Sequence, residues 1–350
     1  MDKNIIENGN SKKGTYSFVH IIPFDGVGGV EVAARSMGCI RQGSIDYRLR
    51  FIFSSIEERK DVFRTYNPFA IIVAGLDVAR SKADFIVASL WRSSIVGLIA
   101  ILFNRKIRLV TFLHNTCDAH LLDYIFTRLS VKFSHAIWVD SKQTLIQRVP
   151  GRYRSRCRLI SFVTRRFDEL PAVAVRPTFI FWGRLARQKN LTRAIHIFAA
   201  IHKHHPEACF WIIGPDGGVL HDLRAQCVAL KLEEAVKFMG HMSQDEIPGH
   251  AVRASFYLQT SEYEGMAMSV VESMQLGLVP VVTPVGEIGS YCSHGENAIV
   301  VEADQQAVED ILNILDDDSL YGELRARAIS TWTDTMLYRD SVLAACNAII

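Results

Sequence analysis

The sequence contains no long apolar run and carries little net charge. Its longest uninterrupted apolar stretch, IVGLIAILF at residues 95–103, is about half of the roughly 20 residues that a membrane-spanning helix needs. The 39 lysines and arginines nearly balance the 37 aspartates and glutamates, which leaves a formal net charge of +2. No transmembrane span is therefore predicted, and no overall field favours a nucleic-acid partner.

Paired cysteines are also missing. The seven cysteines are scattered without a C-x-x-C motif, and an odd number cannot all pair within one chain. This pattern is typical of free thiols in a reducing compartment and argues against a zinc site. Residues 1–14 are polar, lack the apolar core of a secretory signal and are interpreted as a disordered leader. The predicted location is the cytoplasm, either free or peripheral on the inner face of the membrane.

Apolar runs of strand length alternate with helix-like segments along the whole chain. In the amino-terminal half these runs occupy residues 15–24, 47–55, 69–75, 107–114 and 134–141. A second series begins with RPTFIFWGRL and continues with ACFWIIG, AVKFMG, ASFYLQTS, LVPVVTP and NAIVVEA. Their continuous apolar character predicts strands covered on both faces, as in a parallel α/β sheet.

The chain is long enough for two domains. Its 350 residues are 49% hydrophobic and 22% charged, an ordinary composition for globular domains of roughly 150 residues each. Apolar periodicity is lost between residues 165 and 177, where two prolines intervene. The prediction is an α/β protein with two doubly wound parallel-sheet domains, residues 15–172 and 173–331, facing a cleft.

The carboxyl ends of such strands are the expected ligand sites, because helix N-termini there present unpaired N–H groups. Gly28 and Gly29 follow the first predicted strand and precede a helical run. Two glycines allow close approach of a phosphate or sugar, but G-x-G-x-x-G spacing is absent, and a plain strand-to-helix turn explains them equally well. His114 ends the fourth predicted strand, where either a structural or a cleft-facing histidine fits.

The second half carries the more informative charges. Arg184 and Lys189 lie five residues apart on one predicted strand-to-helix loop, where two cations suit a diphosphate, although a solvated basic turn explains their spacing equally well. Glu264 and Glu272 flank the start of a predicted helix, eight positions apart in EGMAMSVVE. Eight residues of helix span about 12 Å, so these two carboxylates cannot hold one metal ion together. They are expected to contact different parts of an extended ligand.

Three segments in order, GRLARQKN, EGMAMSVVE and GLVPVVTPVGEIGSYCSHGENAIVV, carry a family resemblance. With them the chain resembles the retaining, nucleotide-sugar-dependent glycosyltransferases of family 4, which have the two-Rossmann architecture called GT-B. The resemblance spans nearly the whole chain and is strongest between Phe179 and Ala303. It implies a metal-independent transferase with no cofactor beyond its nucleotide-sugar substrate, UDP- or GDP-linked. It also implies a saccharide or lipid-linked glycan acceptor bound by residues 15–172.

The same resemblance assigns roles to individual residues. It implies that Arg184 and Lys189 bind the donor diphosphate, and that Glu264 and Glu272 contact the donor sugar and the ribose. The amides of Gly265, Met266, Ala267 and Met268 would line the sugar and phosphates. Gly28, Gly29 and His114 match the amino-domain glycine loop and the histidine beside the transferred sugar, and Met242 ends the strand that meets the base.

Three positions depart from the family pattern. The place of a second glycine in the E-G-x-G segment is taken by Ala267, and Glu287 and Ser290 stand where many members have glycine and glutamate. The role of that second loop stays open. A catalytically silent sugar-nucleotide-binding protein and a nucleotide-sugar epimerase on the same fold are the alternatives.

The family's usual roles suggest bacterial cell-surface polysaccharide synthesis, such as lipopolysaccharide, O-antigen or capsule. The segment 121–133 is amphipathic with basic positions, and 148–158 is rich in arginine. Contact with an anionic membrane and a solvated face explain these two segments equally well. In proteins of this resemblance the terminal helix crosses back, so residues 332–350 are predicted to pack on the amino-terminal domain.

Overall fold

The computed structural model describes residues 14–26, 28–53, 67–167 and 174–350. Residues 1–13 of the predicted leader and the predicted domain boundary at residue 172 lie outside the described residues. Within the described ranges thirteen strands form two sheets, and both sheets are flanked by helices. None of the described helices is long and apolar enough to cross a membrane.

The first sheet has seven strands in the order β2-β3-β1-β4-β5-β6-β7, all parallel except the β2–β3 pair. Its strands are β1 (Tyr16–Phe24), β2 (Ile40–Gln42), β3 (Ile45–Phe53), β4 (Phe85–Ser89), β5 (Arg108–Leu113), β6 (Ala136–Val139) and β7 (Cys157–Leu159). Its helices are α1 (Gly29–Met37), α2 (Pro68–Arg80), α3 (Leu90–Phe103), α4 (Leu121–Phe133) and α5 (Lys142–Arg148), and a 3₁₀ helix covers Gly151–Arg156.

The second sheet has six parallel strands in the order β10-β9-β8-β11-β12-β13. Its strands are β8 (Thr178–Trp182), β9 (Cys209–Ile213), β10 (Val236–Gly240), β11 (Phe256–Gln259), β12 (Val279–Val282) and β13 (Ile299–Val300). Its helices are α6 (Leu191–His204), α7 (Leu220–Ala229), α8 (Ile247–Ala251), α9 (Met268–Gln275), α10 (Ile288–Tyr291), α11 (Asp304–Leu315) and α12 (Asp318–Ser330), and a 3₁₀ turn covers Arg187–Lys189.

The last helix, α13 (Tyr338–Asn347), packs on the first sheet. Its Tyr338, Val342 and Cys346 are fully or almost fully buried in the same core cluster as Phe18 and Phe112 of β1 and β5. The predicted return of the chain end to the amino-terminal domain is therefore confirmed, as is the doubly wound two-domain architecture.

The prediction of a strand at residues 69–75 is wrong. These residues belong to α2, whose N-cap Asn67 accepts a hydrogen bond from the Phe69 amide at 3.0 Å and whose first residue is Pro68. Cap and proline together favour a helix start, and Ile71, Ala74 and Val78 recur at helical spacing on its buried face. The strand that fills this place in the sheet is β4, which the sequence analysis did not predict.

Candidate functional site

The carboxyl ends of the two sheets meet around the segment that precedes α9. A Cβ added to Gly29, the first residue of α1, would lie 3.0 Å from Sδ of Met268. A Cβ added to Gly265 would lie 2.6 Å from the carbonyl oxygen of His114. Glycine at these positions allows the two domains to approach this closely, so the first domain's loops line the same cleft as α9.

Lys189 and Glu264 form an ion pair in this cleft, with Nζ 2.6 Å from Oε1. The same carboxylate oxygen accepts hydrogen bonds from Nε2 of Gln259 at 3.1 Å and from Oγ of Ser261 at 2.7 Å. Glu264 is only 9% exposed, so its charge is held by one cation and two neutral donors rather than by water. The sequence analysis missed Gln259 and Ser261, although both lie at the end of β11, where ligand-binding side chains are expected.

Glu272 lies on α9 and is nearly buried. Its Oε2 accepts a hydrogen bond from Nε1 of Trp182, the last residue of β8, at 3.0 Å. Its Oε1 is buried and has no hydrogen-bond partner among the described residues. Burial raises the pKa of the Glu272 carboxyl, and the Trp182 hydrogen bond opposes that rise. One carboxylate oxygen is therefore available to a ligand's hydroxyl donor.

The other residues predicted to bind the donor make fewer side-chain polar contacts than Lys189, Glu264 and Glu272. Arg184 is exposed after β8 and makes no hydrogen bond or ion pair with any described residue, so the structure does not bring it onto Glu264 as it does Lys189. Met242 is half-buried after β10 and packs against the second-domain core. Gly28 is the N-cap of α1.

The Gly265–Met268 segment reaches the start of α9 through a left-handed residue. Ala267, the N-cap of α9, has φ 54° and ψ 65°. That region suits glycine and costs other residues roughly 1–2 kcal/mol. The glycine that the family pattern has at this place is therefore explained by backbone conformation, and this chain keeps the same conformation with alanine. The conformation leaves the first-turn amides of α9 at the cleft.

His114 is buried at the end of β5 and shares one hydroxyl with His20 of β1. Oγ of Ser89 lies 2.8 Å from Nε2 of His114 and 2.7 Å from Nε2 of His20. Because this hydroxyl has one hydrogen, it donates to one ring and accepts from the other, so the two tautomers are coupled. Burial lowers the pKa of His20 to about 3 and also lowers that of His114, whose neighbour His20 adds to the effect. Both rings are neutral at pH 7.

Two acidic residues that the sequence analysis did not assign meet at the domain contact. Oε1 and Oε2 of Glu287 accept hydrogen bonds from the amides of Lys142 and Gln143, at 3.3 and 3.0 Å, at the start of α5. Asp140, after β6, is buried nearby, and burial, with Glu287 adding to it, raises its pKa to about 6. The residue that replaces a family glycine thus caps a helix of the other domain.

No group of three or more histidine, cysteine, aspartate or glutamate side chains within the described residues is arranged to hold a metal ion. The absence of a metal requirement remains a prediction.

Comparison with known proteins finds glycosyltransferases among the similar sequences and structures. A family model described as "Glycosyl transferases group 1" matches residues 164–331. A mannosylfructose-phosphate synthase of Agrobacterium fabrum is 29% identical over 168 residues, 43% of this chain and 37% of that protein. A GDP-mannose:cellobiosyl-diphosphopolyprenol alpha-mannosyltransferase of Komagataeibacter xylinus is 27% identical over 143 residues, 41% of this chain and 36% of that protein. The chain thus matches less than two fifths of the length of these relatives.

Solved structures extend the likeness to both domains. Anabaena Alr3699/HepE in complex with UDP and glucose superposes with a TM-score of 0.77 at 17% identity, covering 95% of this chain and 100% of that one. Sucrose-phosphate synthase from Thermosynechococcus elongatus gives a TM-score of 0.74 at 15% identity, covering 95% and 98%. The chain has the GT-B fold of these glycosyltransferases.

Proposed function

We propose that the protein is a retaining glycosyltransferase that moves a sugar from a UDP- or GDP-linked donor to a saccharide or lipid-linked glycan. The observation that carries the proposal is the cleft itself, which holds the Lys189–Glu264 ion pair and where the segment from Gly265 to Met268 approaches His114 and Gly29 of the first domain. The family match over residues 164–331 supports it.

In this proposal the cationic groups bind the donor diphosphate, and the acidic residues bind hydroxyl groups of the sugar and ribose. Lys189, Arg184 and the first-turn amides of α9 stabilise the diphosphate, which gains negative charge as the anomeric C–O bond breaks. Glu264 accepts hydrogen bonds from the sugar, and the free oxygen of Glu272 accepts one from the ribose. Neutral His114 orients the transferred sugar. The amino-domain loop, at Gly28 and Gly29, closes over it.

Retention follows from transfer on a single face of the sugar. The electron pair of the anomeric C–O bond leaves with the diphosphate oxygen, the acceptor oxygen bonds to the same face of that carbon, and its proton passes to the departing oxygen. The acceptor occupies a cavity of about 220 Å³ in the first domain, which His114, Trp91, Asp123 and Arg148 help to line. The lipid-linked acceptor in the name of one relative supports a role in bacterial cell-surface polysaccharide synthesis in the cytoplasm.

Nucleotide-sugar binding followed by turnover tests the proposal. A panel of UDP- and GDP-linked sugars is screened for protection against thermal unfolding, and the donor that protects is then incubated with and without saccharide acceptors. Release of nucleoside diphosphate only with an acceptor supports transfer. Protection without turnover identifies a silent binder, and donor isomerisation without release identifies an epimerase.

Metal independence is a separate prediction. Side chains and amides neutralise the diphosphate in this proposal, so we expect EDTA to leave the rate within about twofold of that in added magnesium, whereas a metal-dependent transferase loses a Lewis acid worth several kcal/mol. The measurement is nucleoside-diphosphate release after chelation and dialysis. A rate that collapses and returns with magnesium or manganese contradicts this prediction.

A further inference from the structure

The three helices α2, α3 and α4 form an outer layer of the first domain that presents large apolar side chains to water. They lie side by side, because α3 packs against both α2 and α4. Of the seventeen large apolar residues that are exposed in the described parts of the chain, eleven lie on these helices. They are Phe69, Ile72, Val73, Leu102, Phe103, Leu121, Leu122, Tyr124, Ile125, Leu129 and Phe133. We call this set the outer apolar face.

The polarity of α4 is reversed relative to a helix on a protein surface in water. Its inward positions include Asp123, Thr127 and Ser130, all buried, while Leu121 and Phe133 are 70% and 55% exposed. An ordinary surface helix turns its apolar stripe inward. The helix α3 buries mainly small residues together with Val96, and it exposes Leu102 and Phe103 at its carboxyl end. The helix α2 buries an ordinary apolar side and exposes Phe69, Ile72 and Val73 in addition.

Hydrogen bonds hold α4 in this orientation. Oγ1 of Thr127 donates to Oδ1 of Asp123 at 2.8 Å, and Oδ2 of Asp123 accepts from the amide of Ala119 at 2.9 Å. The hydroxyls of Ser130 and Thr111, the latter on β5, lie 2.5 Å apart. Rotating α4 to bury its apolar side would break the hydrogen bonds that Asp123 makes to Ala119 and Ser130 makes to Thr111. The exposed apolar side is therefore a fixed feature of the fold.

Close helix packing excludes a simple rearrangement of α2 and α3 as well. A Cβ on Gly75 of α2 would lie 2.6 Å from Cγ2 of Ile99, and one on Gly97 of α3 would lie 2.5 Å from Cδ1 of Leu109. Glycine is thus required at residues 75 and 97, where these helices pack closely, and a rotated helix would place a larger side chain there.

Cations border the outer apolar face. Arg80 ends α2 and Lys82 follows it, Arg105 and Lys106 follow α3, and Lys132 lies in the last turn of α4; all five are exposed. On the acidic side, Asp77 pairs with Arg50 at 3.2 Å, and Asp123 is buried near Arg148, with 3.6 Å between its Oδ1 and Nη2. An apolar surface with basic residues at its border complements an anionic bilayer, where the aliphatic and aromatic groups enter the headgroup boundary and the cations contact lipid phosphates.

We infer that the outer apolar face binds the surface of an anionic phospholipid membrane. This inference does not depend on the proposed transferase activity, because it concerns the side of the first domain formed by α2–α4 and its test needs no substrate. A membrane also accounts for the reversed polarity of α4 and for the large apolar side chains that the neighbouring helices α2 and α3 expose.

Vesicle flotation tests the inference with the full chain. Vesicles of phosphatidylglycerol and phosphatidylethanolamine are compared with vesicles of phosphatidylcholine alone. We expect the protein to float with the anionic vesicles only, and raised salt to weaken that binding. The double variant Phe103→Glu/Phe133→Glu should bind at least tenfold more weakly. Val228→Glu is the matched control, since Val228 is an exposed aliphatic residue, 59% accessible, on α7 of the other domain.

A second set of variants tests how much the basic residues contribute to vesicle binding. Arg105→Glu/Lys106→Glu should weaken binding about tenfold or more at low salt, since each basic residue near an anionic surface contributes about 1 kcal/mol. Lys203→Glu, an exposed lysine on α6, should not. All the altered side chains are exposed, and thermal unfolding midpoints within a few degrees of the parent show that the variants fold.

Three outcomes would overturn the inference. One is absence of flotation with either vesicle, and another is equal loss of binding in the Val228→Glu control. The third is a concentration-dependent dimer, seen by sedimentation velocity, that Phe103→Glu/Phe133→Glu abolishes, because a second copy would then cover the face.

Discussion

Lys189 and Glu264 place a cation and an anion at one point of the proposed donor site. The ion pair, with Gln259 and Ser261 as further donors, holds Glu264 at 9% exposure without a ligand. In the proposed donor complex a bound diphosphate would add negative charge beside Lys189, so the ammonium group would have anionic partners in both states. Side chains of opposite sign are thus preorganised before the donor arrives, which is how transition-state charge is stabilised most effectively.

Removing either cation tests that arrangement. In Lys189→Ala and Arg184→Ala we expect the fold to remain, because Gln259 and Ser261 still bond Glu264, while turnover falls about 100-fold or more with loss of diphosphate stabilisation. Arg187→Ala is the matched control, an exposed arginine on the same 3₁₀ turn. The measurement is nucleoside-diphosphate release under saturating acceptor. Parental turnover in both cation variants would remove these residues from the site.

Gly286 supports the position of Glu264 through the backbone. Its φ is +61°, and a Cβ added there would overlap the carbonyl oxygen of Glu264 and lie 2.8 Å from that of Gly265. Gly295 has φ +71° with nothing within 4 Å of an added Cβ. A substitution at either glycine would therefore strain the left-handed backbone, but only a substitution at Gly286 would also clash with the Glu264 and Gly265 carbonyls.

Comparing Gly286→Ala with Gly295→Ala separates the energetic cost of backbone strain from that of the steric clash. We expect Gly295→Ala to lower the free energy of unfolding by about 1 kcal/mol, from left-handed strain alone. Gly286→Ala should cost about 1–3 kcal/mol more, because the Glu264 carbonyl must move, and should weaken donor binding. Urea unfolding gives the first quantity and thermal protection by the donor the second. Equal losses in the two variants would show that the Glu264 loop yields without cost.

At the scale of elements, α5 begins at a contact between the domains. The Glu287 carboxylate accepts from the first amides of α5, and Asp140, just before the helix, is buried beside it with a pKa of about 6. Hydrogen bonds from Thr144 and Ser141 favour the charged form of Asp140, but burial outweighs them.

Stability should fall as Asp140 ionises. Its folded-state pKa lies above the unfolded value of 3.8, so between about pH 4 and 6 the folded state binds more protons than the unfolded state. The contribution is fully present below pH 4 and is lost as pH rises through 6. Its full size is on the order of 2–3 kcal/mol. We expect the free energy of unfolding of the parent to decline relative to that of Asp140→Asn between pH 4 and 6.5, measured with urea. A constant gap across that range would mean that Asp140 titrates normally.

The elements also show what the sequence could predict. The six strands of the second sheet were predicted because each is a short apolar run before a loop. The run at residues 69–75 was misassigned because a buried strand and a buried helix segment have the same apolar density, although Asn67 and Pro68 carried the helix signal. The reversal of α4 was visible only as amphipathicity, because which side faces inward depends on the partners of Asp123 and Thr127.

Contacts between residues that are distant along the chain could not be predicted from the sequence. Lys189 and Glu264 were both assigned to the donor site through the family resemblance, but their ion pair joins loops 75 positions apart. Glu287 could be recognised as a departure from a pattern, yet its role depends on where the other domain places α5. No local periodicity encodes such a contact, which exists only once both sheets have formed.

At the scale of the whole molecule, the chain crosses between the domains twice and the crossings bond to each other. The Tyr338 amide donates to the Val163 carbonyl at 2.7 Å, and Nη1 of Arg166 donates to the Trp332 carbonyl at 2.9 Å. Trp332 itself lies in the second-domain core, with Nε1 3.3 Å from Sδ of Met274. Such a double connection is suited to act as a hinge that closes the cleft on donor and acceptor.

Deleting α13 tests how far the domains depend on this return. A cut after Thr331 would also remove Trp332 from the second core, so the informative truncation ends at Leu337. We expect faster amide exchange throughout β1, β3 and β5, because Tyr338, Val342 and Cys346 leave apolar surface of the first sheet uncovered. Exchange in β8–β13 should stay near that of the full chain.

The point variant Val342→Ala keeps the comparison valid if the truncated chain does not fold. Val342 is fully buried in the first-domain core, so its truncation should lower the free energy of unfolding of that domain by about 1–3 kcal/mol through lost burial and a residual cavity. Val270→Ala on α9, equally buried in the second-domain core, is the matched control and should weaken protection in β11 and β12 instead. If Val342→Ala changed protection only in the second sheet, or if the truncation left residues 15–165 as protected as before, α13 would be a local cap of the second domain. The hinge would then rest on the linker near residue 167 alone.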